Sequence, residues 1–402
     1  MESMSAADTK KTLAGIKVID VDTHLSEPHD LWTKRATPSL RDRVPQVKIL
    51  ANGQRAWVID GDKSIGNGAM PHSAIRRDGS KPVGLGYQKW QIEECHEGSY
   101  DVRARLEVMD QAGIWAQVVY PNTLGFGGQK AAEVDPALRL AATQIYNDAM
   151  AEMQEESGNR IFPMALLPWW DVDLSVKETQ RAHKMGLRGI NINSDPQGRL
   201  NPEGRPLPDL GDLYWDPLWA VCSELNMPVN FHIGASEEVV NWVGEHFWPS
   251  LKRERVMIVG SMLMFTNNSR VLANLIMSGI CDRYPDLKFV SVESGLGWIP
   301  FTLETLDYQY SELSTRNPLA MKPSDYFKRN FYACFWFEQR DLNHMVKKVG
   351  VDNVMFETDF PHPTCLYPNP LERGAKALED FDKESRFKIL SGNASRVYSI
   401  PI

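Results

Sequence analysis

Three observations predict an α/β fold, a (β/α)8 barrel of the TIM type with an insertion after its first strand. Eight short apolar or β-branched segments recur along the chain, nearly all separated by stretches with helical periodicity. The 402 residues exceed the ~250 that such a barrel needs, and the surplus falls in 26–100, where the strand–helix rhythm lapses. Residues with acid–base or ligand chemistry gather at the C-terminal ends of strands, the face on which barrels place their sites. A doubly wound open sheet would alternate similarly, but no G-x-G-x-x-G follows an early strand.

Taken in order, Met1–Ala14 is polar and reads as a disordered or loosely attached tail, leaving 15–402 as the barrel. Val18–His24 alternates β-branched residues and reads as the first buried strand. Val47–Leu50 and Ala56–Ile59 flank Asn52-Gly53, which predicts a hairpin with a type I′ turn. The whole of 26–100 is expected to be an inserted lid or an oligomer contact, Arg76-Arg77 included. From there the rhythm is regular. The helices Val102–Gly113, Pro136–Ser157, Leu174–Met185, Pro217–Asn226, Leu272–Arg283 and Asp341–Val349 are predicted. The further strands are Ala116–Tyr120, Ile161–Leu167, Gly189–Ile192, Val229–His232, Lys288–Glu293, Phe331–Phe335 and Val354–Phe356.

Composition narrows the function. Hydrophobic residues make up 43% and charged residues 24%, as in ordinary globular proteins. A net charge of -8 argues against nucleic acid or an anionic membrane as partner. Apolar runs such as Met257–Phe265 fall short of the ~20 residues of a membrane span, and Met1–Lys11 has no signal-peptide core. Five cysteines without C-x-x-C spacing suit a reducing cytoplasm.

The strand ends carry Asp22 and His24, then Asn122, Trp169/Trp170, Asn193, His232, Glu293, Phe335/Trp336, and Asp359 with His362. Asp22 and His24 are two apart, so an extended backbone points both to one face. Alone, the pair reads equally as a capping Asp and a satisfied His. Joined by His232, Glu293 and Asp359 from other strand ends, it predicts a divalent metal site, since Zn²⁺, Mn²⁺ or Fe²⁺ takes this mixture of N and O ligands. Arg103 and Arg105 read as solvated helix charges or as a carboxylate clamp. The tryptophans wall a pocket or pack, and Cys365 is an ordinary thiol.

Asp22-x-His24, Pro228–His232, Glu293-Ser-Gly-Leu-Gly-Trp-Ile-Pro300 and Phe356-Glu-Thr-Asp359-Phe-Pro361 resemble the amidohydrolase superfamily. The similarity is to the branch that includes 2-amino-3-carboxymuconate semialdehyde and γ-resorcylate decarboxylases. The resemblance implies one metal held by Asp22, His24, His232 and Asp359. It also implies departures, because those decarboxylases carry His where this chain has Glu293, and His-x-His or Glu-x-His where it has Asp22-x-His24. Glu293 is then a fifth ligand or a general base, with Asp359 and His362 beside it at the same mouth. With His362 the inventory suffices for a dinuclear centre, which resembles diiron hydroxylases on the same barrel, such as 2-aminoisobutyrate hydroxylase. The leading expectation is a hydrolase or non-oxidative decarboxylase acting on a small carboxylated substrate. The alternatives are a dinuclear Fe or Mn/Fe hydroxylase using O2 and a non-catalytic partner subunit. A homodimer, or a heteromer with a homologous chain, is expected from the branch.

Overall fold

In the computed structural model, which describes residues 4–66, 68–131, 134–201, 203–236, 248–313, 316 and 318–402, parallel strands close around an apolar interior. The barrel strands are β1 (Val18–His24), β2 (Ile114–Tyr120), β3 (Ile161–Pro163 and Ala165–Leu166), β4 (Ile190–Asn191), β5 (Val229–His232), β6 (Phe289–Val292), β7 (Phe331–Phe335) and β8 (Val354–Phe356). Each pairs in parallel with its successor. The two halves of β3 meet at Met164, whose N–H donates to Val119 O at 2.8 Å, while Ala165 N–H donates to Gly189 O at 3.0 Å. The last seam, from β8 back to β1, closes through Asp359 N–H to Asp22 O at 2.9 Å and His24 N–H to Phe360 O at 2.7 Å.

Alternation along the strands sorts two cores. Ile19, Val21, Val118, Phe162, Val290 and Met355 fill the barrel interior, together with Val397 and Tyr398 of the helix Asn393–Tyr398. That helix lies at the N-terminal ends of the strands, since Trp115 at the start of β2 donates to Pro401 O. Val229, Phe289, Phe331 and Phe356 face outward into the layer between strands and helices. The strand ends opposite are thereby left to polar side chains.

The insertion is fused to the outer core. Leu31, Trp32, Val44, Trp57 and Ile65 belong to it, and the Trp32 indole donates to Ala142 O at 2.9 Å. Its strands Gln46–Ile49, Arg55–Ile59 and Lys63–Ser64 form an antiparallel meander. The hairpin is where the sequence places it, but the turn differs. Gly53 is at φ 79 while Asn52 is not at positive φ, and Leu50 N–H donates to Gln54 O. This is a three-residue loop with one left-handed glycine rather than a type I′ turn.

Two further expectations are corrected. The N-terminal segment is an ordered helix, Ala6–Thr12, capped by Ser5 Oγ accepting from Asp8 N–H at 3.2 Å. Met4 N–H donates to Glu372 O and Leu13 is buried, so apolar docking holds a segment that composition marks as loose. The helix read as Leu272–Arg283 instead runs Arg253–Met277, and Gly279 at φ 74 divides it from Ile280–Arg283.

Candidate metal centre

Three backbone devices bring the ligand types together. β5 uses plain alternation: Asn230 and His232 face inward while Val229 and Phe231 face the outer core. β1 needs a slip. Ile19 and Val21 are interior, whereas Asp20 lies on the other face, accepting from Thr358 N–H at 2.9 Å and Gln117 Nε2–H at 3.1 Å. Strict alternation would put Asp22 with Asp20. The register irregularity between Asp20 and Thr23 turns Asp22 and His24 into the mouth instead. The third device is left-handed backbone. Val290 and Val292 of β6 point inward, so Glu293 would point out, but its φ of 56 redirects it. Asp359 has φ 59.

The resulting cluster is closed from solvent. His24 Nε2 lies 3.6 Å from Asp22 Oδ1 and 3.7 Å from Asp359 Oδ1. His232 Nε2 lies 3.6 Å from Asp22 Oδ1 and 3.3 Å from Glu293 Oε2. Asp22, His24, His232 and Asp359 are 0% exposed and Glu293 is 7% exposed, so water offers these groups little compensation. Burial, then the neighbouring carboxylates Asp359, Asp22 and Glu357, push the Glu293 carboxyl well above its usual range. Burial likewise raises Asp22, and burial with the adjacent His362 and His232 holds His24 far below the ordinary imidazole value.

The donor set fits a divalent cation. Among the described residues, both Asp22 oxygens, both His24 nitrogens, His232 Nε2 and Asp359 Oδ1 are buried without a hydrogen-bond partner. Two overlapping groups, Asp22/His24/His232/Glu293 and His24/Glu293/Asp359/His362, each bring one ligand atom per residue within 4.8 Å of the others. Hard oxygens and imidazole nitrogens at this spacing suit Zn²⁺, Mn²⁺ or Fe²⁺. Around them, His232 Nδ1 meets Ile233 O at 2.8 Å, which directs Nε2 inward. Thr364 Oγ1 donates to Asp359 Oδ2 at 3.0 Å. The ring of Phe126 sits 4.2 Å from that of His232 and 5.2 Å from that of His24, an apolar wall on the cluster.

All six site residues that sequence reasoning singles out converge here. His362 stacks on His24 at 3.8 Å, its Nδ1 2.8 Å from Asp359 Oδ1 and its Nε2 3.0 Å from Asn122 Oδ1. Asn122 Nδ2 donates to Leu25 O, so its oxygen is the atom facing His362 Nε2. Burial lowers the His362 pKa, but Asp359 outweighs it and the net shift is upward. Arg103 is exposed and pairs with Glu156, whereas Arg105 is wholly buried and donates to His24 O, so neither clamps a ligand. Trp169, Trp170 and Trp336 are buried packing residues. Burial pushes the Cys365 thiol up to about 11, which keeps it an inert thiol.

Sequence reasoning misses the supporting carboxylates. Glu27 accepts from Asn122 N–H at 2.8 Å, Thr123 N–H at 3.0 Å and Thr123 Oγ1–H at 2.9 Å, fixing the loop after β2. Glu357 accepts from Glu293 N–H at 3.2 Å. Neither has a sequence signal beyond proximity to a strand end.

The family profile for amidohydrolases matches residues 19–400. The chain belongs to the amidohydrolase family. This amidohydrolase is 26% identical over 308 residues to γ-resorcylate decarboxylase of Polaromonas sp., covering 74% of this chain and 86% of the relative. The enzyme of the same name from Rhodococcus jostii is also 26% identical, over 314 residues, covering 74% and 87%. Among solved structures, an amidohydrolase from Mycobacterium avium subsp. paratuberculosis superimposes with a TM-score of 0.75 at 22% identity, covering 96% of this chain and 99% of that one. A dihydroxybenzoic acid decarboxylase from Polaromonas sp., holding manganese and the inhibitor 2-nitroresorcinol, superimposes with a TM-score of 0.61 at 19% identity, covering 96% and 97%. These solved structures share the barrel fold.

Proposed function

We propose that this amidohydrolase is a metal-dependent enzyme acting on a small carboxylated substrate, by non-oxidative decarboxylation or by hydrolysis. One observation carries the reading: buried carboxylate and imidazole atoms without partners among the described residues converge at the C-terminal mouth of the barrel. Asp22, His24, His232 and Asp359 would hold the ion, whether zinc, manganese or iron, with Glu293 as a further ligand or as the base. A divalent ion held there supplies Lewis acidity toward a substrate oxygen or water. Glu293 and His362 are the groups placed to move a proton. His362 is held between Asp359 and Asn122, with the Phe126 ring 6.1 Å from its own. The similarity to γ-resorcylate decarboxylases over 74% of the chain supports the carboxylated substrate. The test loads purified protein with manganese and follows CO2 release from 2,6-dihydroxybenzoate and hydrolysis of small carboxylated amides and esters. Undiminished activity after complete metal removal would sink the reading.

A second reading rests on the two ligand groups that share His24 and Glu293. Six ligand residues suffice for a dinuclear centre, and two redox-active ions per chain with substrate-dependent O2 uptake would favour an iron or manganese–iron hydroxylase. One ion per chain without O2 uptake returns the first.

We further infer a homodimer, or a heteromer with a homologous chain, in which the 26–100 insertion serves as lid or contact. The exposed Ile258 and Met262, four residues apart on one helix, support such an interface. No described helix is long and apolar enough to cross a membrane. Five free, buried cysteines support a cytoplasmic setting.

A further inference from the structure

His72 and Lys130 belong to no ligand group, yet the fold delivers both to the mouth. The segment carrying His72 is pinned on each side. Ser26 Oγ donates to Pro71 O, and Ala74 N–H donates to Pro361 O at 2.9 Å. Ser26 is two residues past His24 and Pro361 precedes His362, so His72 lies between the two segments that supply those imidazoles. Its backbone is left-handed, φ 52, as at Glu293 and Asp359. A β-carbon makes that conformation unfavourable, and it persists where surrounding contacts impose it, commonly at functional sites. Lys130 comes from the loop after β2. There Lys130 N–H donates to Leu124 O at 3.0 Å, and Gln129 Nε2–H donates to Gly234 O at 2.9 Å, folding the loop across to the end of β5.

Among the described residues neither side chain finds a partner. Both residues are half-buried, and among the described residues the Lys130 ammonium and the His72 ring have no hydrogen bond or ion pair. Glu27 is the acid that Lys130 feels, but its oxygens already serve Asn122 and Thr123. The groups do sense one another. Burial, then Lys130 and His362, lower the His72 pKa to about 3, and His72 in turn contributes to lowering His24. A half-buried ammonium and an imidazole able to donate an N–H, both without partners among the described residues, suit an anionic ligand.

We propose that Lys130 and His72 form an anion subsite beside the metal centre, which binds the carboxylate of the substrate. Lys130 supplies the charge and His72 an N–H, while the rest of the substrate reaches the metal under Phe126. This deepens the reading of a carboxylated substrate and rests on it. It also gives the insertion a part in recognition, since only the insertion carries His72.

The test uses the manganese-loaded full chain and calorimetric titration with 2,6-dihydroxybenzoate and with resorcinol, the same ring without the carboxylate. Lys130→Met should weaken 2,6-dihydroxybenzoate about 10–100-fold, the size of a lost charge-assisted bond, and leave resorcinol binding and manganese content unchanged. Lys130→Arg should restore most of the affinity. His72→Asn, which tolerates the left-handed backbone, should weaken only the carboxylate ligand, by about 3–10-fold. Wild-type protein with no preference for the carboxylate, an undiminished Lys130→Met, or equal losses for both ligands would overturn the subsite. The reaction class fails separately. Selective loss of carboxylate binding without any CO2 release leaves the subsite standing and removes the decarboxylase reading. CO2 release that ignores Lys130 does the reverse.

Discussion

Arg105→Met is the sharpest test of how the first strand end is held. Arg105 is wholly buried, donating from Nε to Gly98 O, from Nη1 to Gln117 Oε1 at 3.1 Å and from Nη2 to His24 O. Gln117 passes the connection to Asp20, which also accepts from Thr358 N–H and Oγ1–H, so β1, β2 and β8 are tied behind the metal mouth. Burial lowers the Arg105 pKa to about 9, which leaves it charged near neutrality. Methionine keeps most of the packing and removes all three donors. Buried acceptors left unpaired cost roughly 1–3 kcal/mol each, and release of the buried charge offsets part of this, for a net loss of about 3–5 kcal/mol. For a chain of 402 residues the unfolding entropy is about 0.8 kcal/mol per degree, so Tm should fall by about 4–6 °C. Thermal unfolding of manganese-loaded wild type and variant measures the stability loss, and metal titration should show weaker binding because the His24 carbonyl is no longer held. A Tm within about 1 °C of wild type, with metal affinity intact, would refute the reasoning.

Glu293→Gln separates ligand from base. Loss of both metal and activity marks a ligand, whereas retained metal with turnover reduced by roughly 10²–10⁴ marks the base. His362→Ala removes the proton carrier between Asp359 and Asn122. Elemental analysis should show one of two ions lost if the centre is dinuclear, and an unchanged single ion with near-normal turnover would take His362 out of the site. Asp195 is bound by Arg270 at 2.6 and 2.8 Å and by Ser236 at 2.5 Å. Its burial raises the pKa, but these partners outweigh that and hold the carboxyl below its usual range. The wild-type advantage over Asp195→Asn, about 1 kcal/mol because Arg270 is half exposed, should be full above the unfolded carboxyl pKa of ~3.9 and vanish as pH falls through the lowered folded value. Denaturant unfolding at neutral and acid pH measures it, and an advantage that grows toward acid contradicts the assignment. Light scattering should give about twice the 45.6 kDa of one chain, and a monomer at micromolar concentration would remove the dimer.

What the sequence determined by itself is local and periodic. Strand and helix are written in side-chain spacing, so the eight barrel strands and most helices could be placed, and His232 follows from plain alternation on β5. Residue types at strand ends marked the six members of the cluster, because barrel topology makes those ends converge wherever the strands close. Phase and reach are different matters. The irregularity that swings Asp22 away from the side of Asp20, and the left-handed turn that brings Glu293 inward from a strand whose parity points it out, arise from pairing with neighbours distant in sequence. No window around either residue records them. The same holds for Ala6–Thr12, polar in composition yet fixed by docking, for Arg105, whose burial is decided by His24 and Gln117, and for His72, whose place depends on Ser26 and Pro361. Backbone conformation at such positions is set by tertiary contacts that outweigh local preference, so only the folded chain shows them.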